Sequence, residues 1–200
     1  QRLHALGVSS ANIDALLFTH LHSDHAVDLY QLIISSWHSY RIKPWKIFGP
    51  KGTKKFVKKI MDAWADERNL RISYESRASA KAFDIQVTEF KSIGSLKIKD
   101  INIKYFEVDH KPVKYAYGFC FTNKNKKLTI SGDTKPCENL MKYAQKSDLL
   151  LHEVFIEGEI LQTNKMRTKK TLHNVKSYHT TSSEVGKVAF ITQSQRLVLT

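Results

Sequence analysis

Two hundred residues, 42% hydrophobic and 26% charged, have the balance of a soluble globular chain long enough to bury a sizeable core. No run approaches the ~18 apolar residues of a membrane span. Cys120 and Cys137 form no CxxC pattern, so both read as ordinary free thiols. The net charge of +13 favours an anionic partner such as nucleic acid or a phosphate ester, although a solvated lysine surface explains much of it equally well.

In chain order, Leu3 to Asn12 reads as a short helix and turn leading into a strand from Ile13 to Phe18. Ala26 to Tyr40 carries Val27, Tyr30, Ile33, Ile34 and Trp37 at helical spacing. Pro44 to Phe48 reads as a strand, and Gly49-Pro50-Lys51-Gly52 as a turn. A second amphipathic helix is expected to bury Phe56, Val57, Ile60, Met61 and Trp64 and to present Lys54, Lys55, Lys58 and Lys59. From Ile72 to Phe121 the signal is mainly β, with strands at 85–87, 96–98, 101–108 and 115–122. A turn at 123–126 leads to a strand over 128–130. Leu149 to Val154 is a further strand, and Glu157 to Tyr178 a polar loop. Thr181-Ser182-Ser183-Glu184 is a capping-box pattern opening a helix to about Gln193, and Arg196 to Thr200 starts a last strand. The chain, without repeats or low-complexity linkers, is expected to form one domain over 1–200. It begins without methionine and stops inside an apolar run, so both ends look cut.

The densest chemistry lies in Thr19-His20-Leu21-His22-Ser23-Asp24-His25. Neutral imidazole and carboxylate are ligands for zinc, iron and manganese. In extended chain, alternate residues share a side, so His20 and His22 point together, and Asp24 and His25 in the following turn can face a second ion. This is the pattern of a metal site, and of one for two metals. Further polar residues recur where strands end: Asp109-His110, then Asp133 after a glycine turn, then His152-Glu153, and finally His179 before the last helix. With the first loop these supply a third imidazole, a carboxylate able to bridge, and a spare acid/base pair.

His20-Leu21-His22-Ser23-Asp24-His25 resembles the signature loop of the metallo-β-lactamase superfamily. Asp109-His110-Lys111-Pro112 running into Tyr115-Ala116-Tyr117-Gly118-Phe119, Ser131-Gly132-Asp133-Thr134, His152-Glu153-Val154-Phe155 and His179-Thr180-Thr181 resemble, in order, the later motifs of its tRNase Z branch and that branch's arylsulfatase-like and phosphodiesterase relatives. The resemblance implies an α/β fold, a four-layer αβ/βα sandwich, apparently without its N-terminal strands and last C-terminal segment. It implies that His20, His22 and His110 bind one metal, Asp24 and His25 the other, and that Asp133 bridges both. One more histidine, beyond Thr200, would complete the second set. Many tRNase Z enzymes carry a long glycine- and proline-rich arm between the third histidine and the bridging aspartate. Here Phe121 to Ile130 leaves room only for a hairpin, which favours a smaller phosphodiester over a tRNA.

The expected activity is hydrolysis of a phosphodiester by a hydroxide bridging two divalent ions ~3.5–4 Å apart. Zinc is the default, and manganese and iron also suit these ligands. Asp24 serves the metals at the reaction centre, and His179, oriented by Glu153, protonates the leaving oxygen. His152 holds position behind them, and Lys111, Lys114 and Lys135 flank the ligand loops. The alternatives are an arylsulfatase-like or lactonase-type ester hydrolase, or a catalytically weak binding module. The expected partners are anionic: a phosphodiester, nucleic acid or nucleotide, or a sulfate ester, with a homodimer as a possible assembly. Cytoplasmic placement is favoured, with secretion or a periplasmic location left open.

Overall fold

The computed structural model describes residues 2–156 and 168–200. Its chain divides into two compact units, residues 1–91 and 92–200.

In the first unit a parallel three-stranded sheet joins β1 (Leu16–Leu17), β2 (Trp45–Gly49) and β3 (Ile85–Glu89), in that order. Helices α1 (Arg2–Ala5), α2 (Ser23–Ala26), α3 (Leu29–His38), α4 (Thr53–Ala63) and α5 (Ala65–Glu75) complete it. Strand β2 alternates as a half-covered strand should: Trp45 and Ile47 are buried while Lys46 is exposed. Its inner residues pack with Phe18, Leu29, Ile33 and Val57. Helix α3 turns Tyr30, Ile33, Ile34 and Trp37 inward at the predicted spacing and adds Leu29, whereas Val27 lies before the helix and is exposed.

Four local departures from the sequence reading have physical causes. The strand expected from Ile13 shrinks to two residues, because the carbonyls of Ala11 and Ile13 accept hydrogen bonds from the Arg41 guanidinium and so leave the ladder. The helix expected from Ala26 breaks at Asp28, whose ψ of 8° opens α3 afresh. Trp64 is half exposed and stacks on Tyr30 at 5.1 Å instead of joining the α4 core face. Helix α5 occupies a stretch assigned in part to β structure. It buries no residue fully and is tied by the Glu67–Arg71–Glu75 ladder and by the Tyr30 hydroxyl donating to Glu67. Burial, and then that bond, push the Tyr30 pKa up to about 12.

Arg41 is the main polar staple of this unit. It is 2% exposed, donates to the carbonyls of Ala11, Ile13, Lys43 and Pro44 and lies 3.9 Å over the Trp45 ring. Burial draws its pKa below the usual guanidinium value, but four carbonyl acceptors still favour the cation. Arg41→Ala is expected to destabilise the protein by about 2–4 kcal/mol, because it leaves buried acceptors unmet. Arg41→Lys should recover little, since one ammonium cannot reach the same fork of carbonyls. Chemical denaturation of the three proteins checks this.

The second unit is a six-stranded sheet, ordered β4 (Gly94–Ile98), β5 (Ile101–Glu107), β6 (Tyr117–Asn123), β7 (Lys126–Ile130), β8 (Leu149–His152) and β9 (Leu197–Leu199). Strands β4 to β7 form an antiparallel meander, and β7, β8 and β9 run parallel. The β6–β7 turn is only Lys124-Asn125, with Lys124 at φ 50°, so this hairpin carries no arm. Between β7 and β8 lies α6 (Glu138–Tyr143), a helix too short for its periodicity to stand out. After β8 come α7 (Lys169–Lys176) and α8 (Ser182–Ile191). Helix α7 replaces part of the expected loop, capped by the Thr168 hydroxyl accepting from Thr171 N; the remainder of that loop, 157–167, lies outside the described residues. The capping box at Thr181 and Glu184 forms as expected. Phe106, Cys120, Leu140, Leu150 and Val188 make the core. Both cysteines are free thiols.

Candidate metal centre

In the first unit the buried strand end delivers His20 into the interior, 0% exposed. The Thr19 hydroxyl engages its Nδ1 at 3.0 Å, which leaves Nε2 as the nitrogen for a ligand. The His22 and His25 rings lie 4.7 and 4.3 Å from the His20 ring, centroid to centroid. Three imidazoles this close repel if all are protonated. As neutral donors they suit a cation that takes nitrogen lone pairs. Asp24, in the first turn of α2, pairs with His25 at 3.4 Å and is largely exposed.

In the second unit β5 runs out into Asp109 and His110, and β7 into Gly132, whose φ of 63° turns the chain so that Asp133 approaches His110. Asp133 Oδ2 lies 3.9 Å from His110 Nε2. His110 is fully buried, and its Nδ1 donates to the Tyr178 carbonyl at 2.9 Å. A carbonyl only accepts, so this bond fixes the tautomer and directs the Nε2 lone pair to the Asp133 side. The donor set of each unit, imidazole nitrogen with a carboxylate beside it, therefore fits a divalent metal.

Beside these ligands sits a polar hub at Glu153. Its Oε1 accepts from Thr134 N at 3.0 Å, Thr180 N at 3.0 Å and His179 Nδ1 at 3.1 Å. The His179 ring is thereby held 5.1 Å from the His110 ring. The acid/base pair expected at Glu153 and His179 is thus brought together.

Sequence reasoning gave no role to Thr134, Thr180 or Tyr178. Thr134 Oγ1 accepts from Asp109 N and Thr180 Oγ1 donates to the Thr134 carbonyl at 2.6 Å. These bonds lock the Asp133 loop to the His110 strand and the His179 loop. The available signal was adjacency alone, since each threonine follows a chemically active residue. Lys135 and Lys114 are not free to meet a substrate without a change: Lys135 lies 3.4 Å from Asp109 and Lys114 sits over Tyr115.

His152 is fully buried, and its Nδ1 donates to the Glu153 carbonyl at 2.7 Å. Burial pushes its pKa below the ordinary 6.5. A histidine with a depressed folded pKa contributes stability that is present above 6.5 and is lost as pH falls toward the folded value. Melting temperature should therefore drop between neutral pH and mildly acid pH, and His152→Gln should show a shallower drop. Equal slopes in thermal melts of the two proteins would contradict this.

Comparison with known proteins adds to the geometry. The family model described as "Anti-Pycsar protein Apyc1" matches residues 1–195. The chain is 30% identical over 192 residues to ribonuclease Z of Mycobacterium bovis (strain BCG / Pasteur 1173P2), covering 94% of this chain and 67% of that protein. It is 31% identical over 204 residues to ribonuclease Z of Mycolicibacterium paratuberculosis, covering 100% of this chain and 71% of that one. The chain thus spans about two thirds of these relatives. Among solved structures, the short form of human tRNase Z superposes with a TM-score of 0.72 at 21% identity, covering 100% of this chain and 76% of that one. The metallo-β-lactamase fold protein YhfI from Bacillus subtilis gives 0.68 at 17%, covering 98% and 67%.

Proposed function

Because the chain belongs to the family described as Anti-Pycsar protein Apyc1 and, with its ribonuclease Z relatives, to the tRNase Z branch of the metallo-β-lactamase superfamily, we propose that it hydrolyses phosphodiesters with the help of bound divalent metal. In this reading the chain acts as one domain, and the motifs assign His20, His22 and His110 to one ion, Asp24 and His25 to a second, and Asp133 to both. Zinc is the proposed metal, since the set contains imidazole and carboxylate but no thiolate. When bound, the metals supply a nucleophile usable at neutral pH and neutralise charge on the phosphoryl oxygens.

The observation that carries the reading is the Glu153–His179 pair at 3.1 Å beside His110. Glu153 accepts a hydrogen bond from Nδ1–H and its charge stabilises the imidazolium. His179 Nε2 then gives its proton to the leaving oxygen, and Thr134 N and Thr180 N hold the carboxylate in place meanwhile. A metal-binding module without catalysis would not need a carboxylate-oriented imidazole next to its ligands.

The substrate is proposed to be a small phosphodiester. The two-residue β6–β7 turn offers no arm with which to grip a folded RNA. Cleavage of a 3′-extended tRNA precursor should be compared with that of bis(p-nitrophenyl) phosphate, using zinc- or manganese-loaded protein. Turnover of the small diester with little tRNA cleavage is expected. Accurate tRNA cutting would overturn the substrate assignment, and silence on both would overturn the reaction class.

A further inference from the structure

We infer that the second unit carries a separate anion site for the oligophosphate group of a small ligand, in a trough on the sheet face at β4, β5 and β6. Cross-strand register places Ser95, Lys104 and Cys120 in one row and Lys97, Asn102 and Thr122 in the next, and directly paired side chains share a face. Farther along the same face, α6 and α8 bury Phe106, Cys120 and Leu150 with Leu140 and Val188. The trough is the part that these helices leave open, and its volume is about 540 Å³. That falls in the range of sites for small ligands.

Its chemistry selects for anions. Diagonal neighbours such as Lys97 and Lys104 stand roughly 7–8 Å apart, and a like-charged pair there is normally offset by a carboxylate. Here the direct partners are neutral: Lys97 faces Asn102, and Lys104 faces Ser95 and donates to its hydroxyl at 3.3 Å. Neither row contains an acid. Nearby carboxylates are committed elsewhere, Asp100 to Asn123 and Asp148 to Lys126 and the Lys127 amide. The face therefore offers two ammonium groups, an amide and the Ser95 hydroxyl to one guest, while the Thr122 hydroxyl donates to the Asn102 carbonyl at 3.5 Å. Among the residues lining the trough none is aromatic, so it lacks the stacking platform on which single-stranded nucleic acid depends. A phosphate chain is the guest that these groups satisfy best, each lysine meeting it as a point charge.

The trough does not belong to the proposed reaction centre. Lys104 precedes His110 by six positions of extended chain, about 20 Å, and the strands deliver His110 and Asp133 at their other ends.

The test uses tripolyphosphate as the probe on the intact protein with a chelator present, read residue by residue from backbone amide shifts. Saturable shifts are expected at Ser95, Lys97, Asn102, Lys104 and Thr122. The double variant Lys97→Ala, Lys104→Ala should weaken binding by at least about tenfold, the loss of one charge-assisted bond. Lys54→Ala, Lys58→Ala, which removes as much charge from α4, should leave it unchanged. Equal loss in both double variants would mean a general charge effect and would overturn the site. So would the absence of saturable shifts, which would leave these lysines as solvated protection of the β4 edge. A single-stranded RNA that shifts the same residues and outcompetes tripolyphosphate would also overturn it. Loss of diesterase activity alone would bear on the reaction proposal and not on this site.

Discussion

Asp133→Ala is expected to remove phosphodiesterase activity to the background of the assay, while the protein stays folded. The side chain is a single carboxylate on a loop whose backbone is held independently by Thr134 and Glu153, so its loss should not unravel the unit. It is the proposed bridge between two ions and stands 3.9 Å from His110 Nε2. Residues that only support ligands typically cost 10–100-fold in affinity or activity, and a shared ligand should exceed that. Zinc content should fall together with the rate. Full metal content with normal turnover would remove Asp133 from the centre.

The second large effect is expected at His179. Its Nδ1 is committed to Glu153, so its only useful exchange of a proton is through Nε2. His179→Ala should lower kcat by ~10²–10⁴ with KM little changed, because the imidazole acts on the leaving group and not on ground-state binding. A substrate with a good leaving group, such as bis(p-nitrophenyl) phosphate, needs less protonation and should show the smaller defect. Glu153→Gln tests the orienting role. The amide keeps an acceptor for Thr134 N and Thr180 N but not the charge that stabilises the imidazolium, so its effect should be intermediate. Equal loss on good and poor leaving groups would argue against an acid.

The sequence carried the metal loop openly because ligand-type residues are rare and three imidazoles in six positions have few other uses. His110, Asp133 and Glu153 were legible for a different reason: each follows a strand that periodicity already located, and His179 stands just before the capping box that opens α8. What the sequence hid was cooperative. Thr134 and Thr180 matter through the Thr180 hydroxyl's bond to the Thr134 carbonyl and through their amides, which both donate to Glu153, and no local pattern encodes these. The Tyr178 carbonyl that orients His110 is a backbone atom, and so leaves no side-chain signature. Helix α5 was missed because it buries no residue fully and meets the core through Ile72 rather than along an apolar stripe; the i,i+4 charges were the available signal. Strand β1 was overextended because Arg41, far along the chain, takes the carbonyls that a ladder would have used. At β1 a tertiary polar contact overrode a local preference.

The measurement that bears most directly on metal-dependent phosphodiester hydrolysis is a zinc titration of chelator-stripped protein, followed by bis(p-nitrophenyl) phosphate turnover, with Asp133→Ala in parallel. Activity should be absent without metal and rise to saturation with added zinc in the native protein, and the variant should stay flat. Turnover that persists after stripping, or that the variant retains, would contradict the account.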